Sequence, residues 1–245
     1  MVKKCIMTIS RSPKGKKMKK ILVVLTNTPN FPGKLEATGL WLAEATEFVN
    51  VVTKAGFQVD YISPEGGYVP IDPRSLKGTY IKPSDLTLYQ SKDFQDRALS
   101  NTMTAKDVNP DDYLGIYYTG GHGVLWDFPN NYALQKLTSH IFTYGGYVMS
   151  VCHGLAGLLN VKDAADDYLL DGKKVTGFTD QEELLSGKQS YINYSVEKMA
   201  KERGAEFQKT IPYTSFAIQD KHLITGQNPM SGGAVADLLI QALEL

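Results

Sequence analysis

Short apolar runs alternate with amphipathic segments along most of this chain. Residues 21–25 form a continuous apolar run, which predicts a strand buried on both faces. Apolar residues recur at helical spacing through residues 37–55, and Gly56 follows as a helix stop. The alternation continues and predicts strands at 57–62, 113–118, 147–151, 174–176, 217–219 and 223–225 and helices at 131–144, 153–159 and from about 232. Strands that alternate with helices indicate an α/β protein whose parallel sheet is covered on both faces.

Two segments depart from this alternation. Residues 1–17 are rich in Lys and Ser and show no helical or strand period, so we predict a disordered extension there and exclude Cys5 from the chemistry. A short edge strand at residues 5–9 is the alternative. Residues 18–245 are expected to form one domain. Within it, the irregular stretch 63–110, with one helical piece at 94–99, is an elaboration because it holds too few apolar residues for its own core.

The charge balance argues against some classes of partner. The 26 basic residues equal the 26 acidic ones, and a net charge of zero gives no reason to expect binding to nucleic acid or to an anionic membrane. No apolar run is long enough to span a bilayer, and the basic N-terminal residues do not lead into the apolar stretch of a secretory signal. Two cysteines in 245 residues do not make a disulfide framework, so we expect a cytoplasmic location.

The segment after the predicted strand 147–151 carries the main candidate for chemistry. Cys152 lies where that strand passes into a helix, and His153 and Gly154 follow it. A side chain on so sharp a turn projects above the sheet, and the N-terminal end of the helix favours a thiolate. This is the cysteine counterpart of the nucleophile elbow of serine hydrolases. The alternative is a small buried hydrophobe, the usual fate of a lone cysteine, but His153 and Gly154 are costly choices for plain packing.

A glycine-rich segment follows the predicted strand 113–118. In Gly120-Gly121-His122-Gly123 the glycines allow a backbone N–H to face a neighbouring site. Together with the N–H of His153, the N–H of Gly121 would form an oxyanion hole for charge that develops on a substrate oxygen. The alternative is a tight turn, in which His122 is a packing or solvated histidine.

These two segments, together with Gly177-Phe178-Thr179-Asp180 and Thr225-Gly226-Gln227-Asn228-Pro229, resemble the ThiJ/PfpI superfamily of class I glutamine amidotransferase-like proteins. Within it the chain is similar to the branch that contains glutathione-independent glyoxalase III enzymes and holding chaperones. The resemblance runs from Met18 to the C-terminus. It implies a flavodoxin-like fold, a three-layer sandwich with a mostly parallel central sheet.

The resemblance also implies which residues form a catalytic triad. The nucleophile of the family falls on Cys152 and its neighbouring histidine on His153. The acidic third member falls on Glu183, and Asp180 or Glu182 are the alternatives if the local register shifts.

A further glutamate of the family, which lies on the first helix and reaches the cysteine, falls on Glu44. The position of Glu44 independently supports a buried role, because Leu40 lies one turn before it and Phe48 one turn after it, on the face that should be buried. Burial raises the pKa of a carboxyl, which would leave Glu44 protonated and able to donate a hydrogen bond to a thiolate. The alternative is a border residue that reaches water, like Glu47.

The implied reaction is the cofactor-independent conversion of a small α-oxoaldehyde, such as methylglyoxal, to a 2-hydroxy acid, or a related deglycating activity. The stretch 63–110 is expected to cover the site.

No metal is expected, because the four histidines show no arrangement with a carboxylate like that of metal-binding relatives. A homodimer is expected from the resemblance and from the frequency of twofold assemblies. A cysteine amidase or peptidase, and a holding chaperone or redox sensor in which Cys152 is oxidised, are the open alternatives.

Overall fold

The computed structural model describes residues 20–244, so the extension predicted for residues 1–17 and the alternative strand at 5–9 lie outside the described residues. The strands are β1 (Lys20–Val24), β2 (Gln58–Ile62), β3 (Gly115–Tyr118), β4 (Tyr147–Val151), β5 (Lys174–Val175), β6 (Glu206–Phe207), β7 (Ala217–Asp220) and β8 (Leu223–Gly226). The helices are α1 (Leu42–Lys54), α2 (Pro83–Tyr89), α3 (Lys92–Phe94), α4 (Val124–Asp127), α5 (Tyr132–Thr143), α6 (Asp180–Ser186), α7 (Val196–Glu202) and α8 (Gly232–Ala242). Short 3-10 helices occur at Pro73–Leu76, Pro110–Asp112, Cys152–Leu158 and Gln189–Tyr191, and a π-helical turn occurs at Gln95–Ser100.

A six-stranded sheet in the order β2-β1-β3-β4-β8-β7 forms the centre of the fold. Its strands run parallel except for β7, which pairs antiparallel with β8. The pairing of Val24 with Tyr118, and of Tyr118 with Ser150, aligns the carboxyl ends of β1, β3 and β4. In sheets of this kind, ligand sites lie just beyond the carboxyl ends of the strands.

The sheet is buried on both faces, as its apolar runs predict. Along β1, Ile21 and Val23 point into one core, Leu22 and Val24 point into the other, and all four are fully buried. Helices α1 and α8 pack together over the first core, and α5 and α7 contribute to the second. The predicted α/β three-layer sandwich with a mostly parallel sheet is therefore confirmed. Within residues 20–244, no helix combines the length and the apolar character of a membrane span.

The first helix begins at Leu42, so the prediction of a helix from residue 37 was wrong at its N-terminal end. The N–H of Leu40 donates to the carbonyl of Pro70 (2.8 Å), and the carbonyl of Leu40 accepts from the N–H of Asp72 (2.9 Å). Gly39 has a φ of +143°, and a Cβ there would lie 2.3 Å from the Pro70 oxygen. The segment is extended because its backbone is paired with a distant one, which the spacing of apolar residues does not reveal.

Two other elements differ in kind from the prediction. The helix expected at 153–159 is the fully buried 3-10 helix Cys152–Leu158, which contacts β3 and β4. The strand expected at 174–176 is present as β5, but it pairs with β6 in a separate two-stranded sheet.

The stretch 63–110 lies against β2 and α1. Its return segment pairs with the end of β2, where the N–H of Met103 donates to the carbonyl of Tyr61 (3.1 Å). Helix α2 packs on α1, and the Thr46 hydroxyl donates to the buried carboxylate of Asp85 (2.9 Å). The helical piece predicted at 94–99 begins at Lys92 and continues as the π-helical turn. That residues 18–245 form one domain stays a prediction.

Candidate active site

Cys152 directly follows β4 at the carboxyl end of the sheet. The strand is buried along its whole length, and the chain then turns sharply, with a φ of +57° at Cys152. Residues other than glycine adopt this left-handed conformation only at an energetic cost, which is typical of functional turns. The carbonyl of Cys152 accepts a hydrogen bond from the N–H of Phe178 (3.2 Å). The residue is 2% exposed, so its sulfur lies at the bottom of the site rather than on the surface.

His153 and Glu183 continue in series from the sulfur. The Sγ of Cys152 lies 3.5 Å from Nδ1 of His153, and Nε2 of His153 lies 2.7 Å from Oε2 of Glu183. Burial by itself raises the pKa of Glu183, but the two adjacent histidines outweigh this effect and hold it below its usual value. Glu183 is therefore an ionised acceptor, and His153 donates to it from Nε2. This leaves Nδ1 of His153 facing the sulfur with its lone pair.

The three acidic candidates for the third position have different partners. Asp180 is exposed and hydrogen-bonds to the hydroxyl of Ser195. Glu182 is buried, but its carboxylate accepts from the Thr179 hydroxyl (2.9 Å) and from side chains of the 225–229 segment. Of the three, Glu183 contacts His153.

Glu44 lies at the start of α1, fully buried on the face that its helical spacing predicted. Its Oε2 accepts a hydrogen bond from the N–H of Gly120 (2.7 Å), and its own carbonyl accepts one from the Tyr117 hydroxyl (2.7 Å). Burial raises the pKa of Glu44 to about 8, against the lowering effects of the Cys152 thiol and of the Gly120 N–H. Glu44 therefore carries a proton at neutral pH.

Gly120 allows Glu44 to approach Cys152. A Cβ atom on Gly120 would lie 2.6 Å from Oε2 of Glu44 and 3.0 Å from both the Cβ of Cys152 and the backbone nitrogen of His153. A larger residue would force these groups apart, so the close contact of the two segments requires glycine. Gly121 and His153 both line the cavity above the sulfur. The oxyanion role of their N–H groups stays a prediction.

The burial of Cys152 acts against the thiolate form that the N-terminal end of a helix would favour. Burial raises the pKa of Cys152 well above its usual value, and the charge of a Glu44 carboxylate raises it further, while the N–H of His153 lowers it. The 3-10 helix that starts at Cys152 has only 7 residues, so few peptide dipoles align towards the sulfur. Burial therefore opposes the thiolate form, and His153 lies beside the sulfur as the group that can accept its proton.

His122 contacts the second oxygen of the Glu183 carboxylate, and its ring lies beside that of His153, with ring centroids 4.3 Å apart. Its Nε2 is 2.9 Å from Oε1 of Glu183, and its Nδ1 is 3.2 Å from Nη2 of Arg74. Burial lowers the pKa of His122 to about 4, and His153 and Arg74 contribute to this lowering. His122 was predicted at the substrate-binding segment, and it does line the cavity as a neutral side chain.

The histidines are arranged with a carboxylate after all. His122, His153 and Glu183 present ligand atoms within 4.8 Å of one another, so our expectation that no such arrangement exists was wrong. Both Nε2 atoms are already hydrogen-bonded to Glu183, and the positive guanidinium of Arg74 lies against His122. A neighbouring cation opposes the binding of a metal ion, so the cluster fits a hydrogen-bonded relay better than a metal site.

A cavity of about 260 Å³ opens above the sulfur. The stretch 63–110, which was expected to cover the site, contributes three lining residues: Arg74, Lys77 and Tyr80. The other lining residues are mostly aromatic or apolar, and they are Trp41, Gly121, His122, Cys152, His153, Phe178, Leu185, Ser186, Tyr213 and Pro229. Such a lining suits a small, largely apolar molecule that carries one polar reactive group.

Sequence reasoning missed several lining residues. Arg74 and Tyr80 belong to an irregular stretch without hydrophobic period, so no pattern in the sequence singles them out. Tyr213 has a φ of +56° in a turn before β7, again without a periodic signal. Trp41 precedes α1 and lies edge-on to Tyr80, with ring centroids 4.9 Å apart. These residues reach the site through long-range contacts, which local spacing does not encode.

A cysteine on a strand-to-helix turn of a parallel sheet, with a histidine and a carboxylate in series behind it, defines a cysteine-centred α/β class. The sequence model of the DJ-1/PfpI family matches residues 35–242. The protein belongs to the DJ-1/PfpI family, which confirms the resemblance carried by its motifs.

Relatives are similar over nearly their whole length. The glutathione-independent glyoxalase HSP31 of Saccharomyces cerevisiae is 36% identical over 236 residues, covering 92% of this chain and 98% of its own. Glyoxalase 3 of Candida albicans is 31% identical, covering 93% and 99%. The crystal structure of glyoxalase III from Candida albicans superimposes with a TM-score of 0.85 at 32% identity, covering 93% and 98%. Rapid encystment protein REP24 of Francisella tularensis gives a TM-score of 0.88 at 32% identity, covering 92% and 99%.

Proposed function

We propose that the protein converts methylglyoxal, or a similar α-oxoaldehyde, to a 2-hydroxy acid without a cofactor. The observation that carries the proposal is the series Cys152, His153 and Glu183 at the floor of the cavity, with the protonated carboxyl of Glu44 beside the sulfur. The relatives named as a glutathione-independent glyoxalase and as glyoxalase 3 or III support the same reaction for this chain.

The first step is attack of sulfur on the aldehyde carbon. His153 Nδ1, 3.5 Å from Sγ, takes the thiol proton as the S–C bond forms, and the product is a hemithioacetal. The ionised Glu183 stabilises the imidazolium through its hydrogen bond to Nε2 (2.7 Å). The high resting pKa of the thiol therefore does not prevent attack, because the base lies beside it.

The substrate oxygen gains negative charge in this step. Gly121 and His153 line the cavity, and their N–H groups would donate to this oxygen. Glu44, in its acid form, donates a proton or a hydrogen bond to charge near the sulfur, whereas its carboxylate would repel that charge.

The remaining steps move protons and add one water. His153 first gives the thiol proton to the substrate oxygen and, as a free base again, removes the hydrogen from the former aldehyde carbon, which yields an enediol. The enediol gains a proton at the neighbouring carbon and loses one from the hydroxyl on the sulfur-bearing carbon, which leaves a 2-hydroxy thioester. Water then breaks the C–S bond, releasing the 2-hydroxy acid and the thiol. The aldehyde carbon is oxidised while the ketone carbon is reduced, so atoms and electrons balance with water as the only added reactant.

The test is turnover of methylglyoxal to lactate by purified protein, without glutathione or added metal. We expect wild type to turn over and Cys152→Ser and His153→Ala to lose at least about 100-fold in kcat/KM. His140→Ala is the matched control, because His140 is a half-buried histidine paired with Asp111 outside the site. It should keep full activity.

Two outcomes would contradict the proposal. Lactate formation that survives in Cys152→Ser would remove sulfur from the reaction. Absence of turnover in wild type, with Cys152-dependent cleavage of peptide or amide bonds, would favour the amidase or peptidase alternative. If turnover is absent, suppression of aggregation of a client protein that persists in Cys152→Ser would instead favour the holding chaperone.

We also propose a homodimer in the cytoplasm. Twofold assemblies are the commonest oligomers, and two cysteines in the whole sequence suit a reducing compartment. Light scattering coupled to gel filtration should give twice the mass of one chain, and a monomeric mass at micromolar concentration would contradict the dimer.

A further inference from the structure

We propose that Arg74 is a positioning residue of this site: its guanidinium fixes His122 as the Nε2–H tautomer, and His122 in turn holds Glu183 for His153. The kinetic side of this inference rests on the proposed function, whereas its spectroscopic side does not. Four contacts connect Arg74 to the sulfur of Cys152, and they pass through three residues: His122, Glu183 and His153.

Arg74 is itself held rigidly. Its backbone N–H and its Nε both lie 2.9 Å from Oδ1 of Asp72, and its Nη2 lies 2.5 Å from Oδ2. Asp72 is fully buried and also accepts from the hydroxyl of Thr38 (3.2 Å). The guanidinium fork therefore has little freedom, and Nη2 is directed at Nδ1 of His122, 3.2 Å away.

The chemistry of the two groups decides the tautomer of His122. A guanidinium has only donors, so the Nδ1 atom that faces it must present a lone pair. The ring proton of neutral His122 is then on Nε2, where it donates to Oε1 of Glu183 (2.9 Å). The opposite tautomer would place two donors face to face at Arg74 and two lone pairs face to face at Glu183.

Glu183 is thereby fixed from both sides. Its Oε1 accepts from His122 and lies 3.1 Å from the hydroxyl of Ser186, while its Oε2 accepts from His153 (2.7 Å). With Nε2–H of His153 committed to Glu183, the lone pair of its Nδ1 points at Cys152. Arg74 therefore influences the atom that accepts the thiol proton without touching the sulfur.

Arg74 also lines the cavity, so direct contact with substrate is the competing explanation. The two roles differ in kinetics. A positioning role predicts that Arg74→Met lowers kcat by about 10-fold to 100-fold with little change in KM, because the base is misplaced. Direct binding of substrate predicts that KM rises while kcat is kept.

The deciding experiment is NMR on protein labelled with ¹⁵N in histidine, which distinguishes protonated from unprotonated ring nitrogens. His122→Asn assigns the His122 signals by their loss. We expect wild type to show His122 at neutral pH with its proton on Nε2 alone, and Arg74→Met to show a mixture of tautomers or protonation at both nitrogens. Arg74→Lys keeps a cation but loses the fork, and we expect an intermediate spectrum.

Arg97→Met is the matched control, because Arg97 is also held by carboxylates, those of Asp60 and Asp93, but lies outside the cavity. Its His122 spectrum and kcat should match wild type. A wild-type spectrum with the proton on Nδ1 would overturn the inference, and so would an unchanged His122 spectrum in Arg74→Met. The wild-type spectrum decides even if Arg74→Met fails to fold. Loss of methylglyoxal turnover in wild type would contradict the proposed function and leave the tautomer measurement intact.

Discussion

The proton on Glu44 sets the electrostatics around Cys152. The N–H of Gly120 donates to Oε2, so the proton of the neutral acid belongs on Oε1, which has no well-aligned partner within residues 20–244. With its pKa raised to about 8 by burial, Glu44 is an acid at neutral pH and a carboxylate in more alkaline solution. The acid form donates towards developing charge on sulfur, and the carboxylate repels it.

Activity should therefore fall as the pH rises through about 8, since the active form is the protonated one. Glu44→Gln cannot ionise and should lose this alkaline limb of the kcat/KM profile, with lower activity at neutral pH because an amide is a weaker proton donor. The measurement is kcat/KM for methylglyoxal from about pH 6 to 10.

Glu47→Gln is the control on the same helix, because Glu47 is paired with Lys82 away from the sulfur. It should keep the limb. If kcat/KM of Glu44→Gln still falls at the same alkaline pH, the titration belongs to another group, and the role of Glu44 is contradicted.

At the scale of the element, the start of α6 places Glu183. The Thr179 hydroxyl accepts from the N–H of Glu182 (3.1 Å), and the Glu182 carboxylate accepts from the N–H of Thr179 (3.0 Å), which is a reciprocal cap. The resemblance assigned Glu183, and Asp180 and Glu182 stayed alternatives because sequence reasoning did not predict this helix. The Thr-x-x-Glu spacing was a usable signal: it assigns Glu182 to the cap and leaves Glu183 free to face the site.

Removal of this cap should affect both stability and catalysis. Thr179→Ala should cost about 1 kcal/mol in the free energy of unfolding and also lower kcat, because the first turn of α6 holds Glu183. Asn131→Ala is the matched control, since Asn131 caps α5 by accepting from the N–H of Leu134 (3.0 Å). It should have a similar cost in urea unfolding with unchanged kcat. An equal loss of kcat in both variants would show that α6 has no special role.

At the scale of the whole molecule, the sequence predicts the sheet and its covering helices better than the residues that line the cavity. Continuous apolar runs such as 21–25 mark strands with two buried faces, and the structure confirms that arrangement. The backbone path of most of the stretch 63–110 could not be predicted, because it follows from distant partners such as Tyr61 for Met103 and His122 for Arg74. Local spacing carries no information about such pairs.

Two leucines test how much the central sheet contributes to stability. Leu22 on β1 is fully buried, so Leu22→Ala should lower the free energy of unfolding by about 2–5 kcal/mol through lost burial and a cavity. Leu35 is fully exposed, so the same change there should stay within about 0.5 kcal/mol. Denaturant unfolding of the two variants measures both values. Similar losses at both positions would contradict the assigned core.

The burial of Cys152 has a consequence for the order in which the chain is made. A ribosome delivers β4 and Cys152 before it delivers Glu183, and before β8, which covers the other side of β4 in the finished sheet. Until those segments arrive, Cys152 lacks the strand on one side of β4, and His153 lacks its carboxylate partner. We therefore expect Cys152 to be more open to alkylation in the incomplete chain than in the finished fold, where it is 2% exposed.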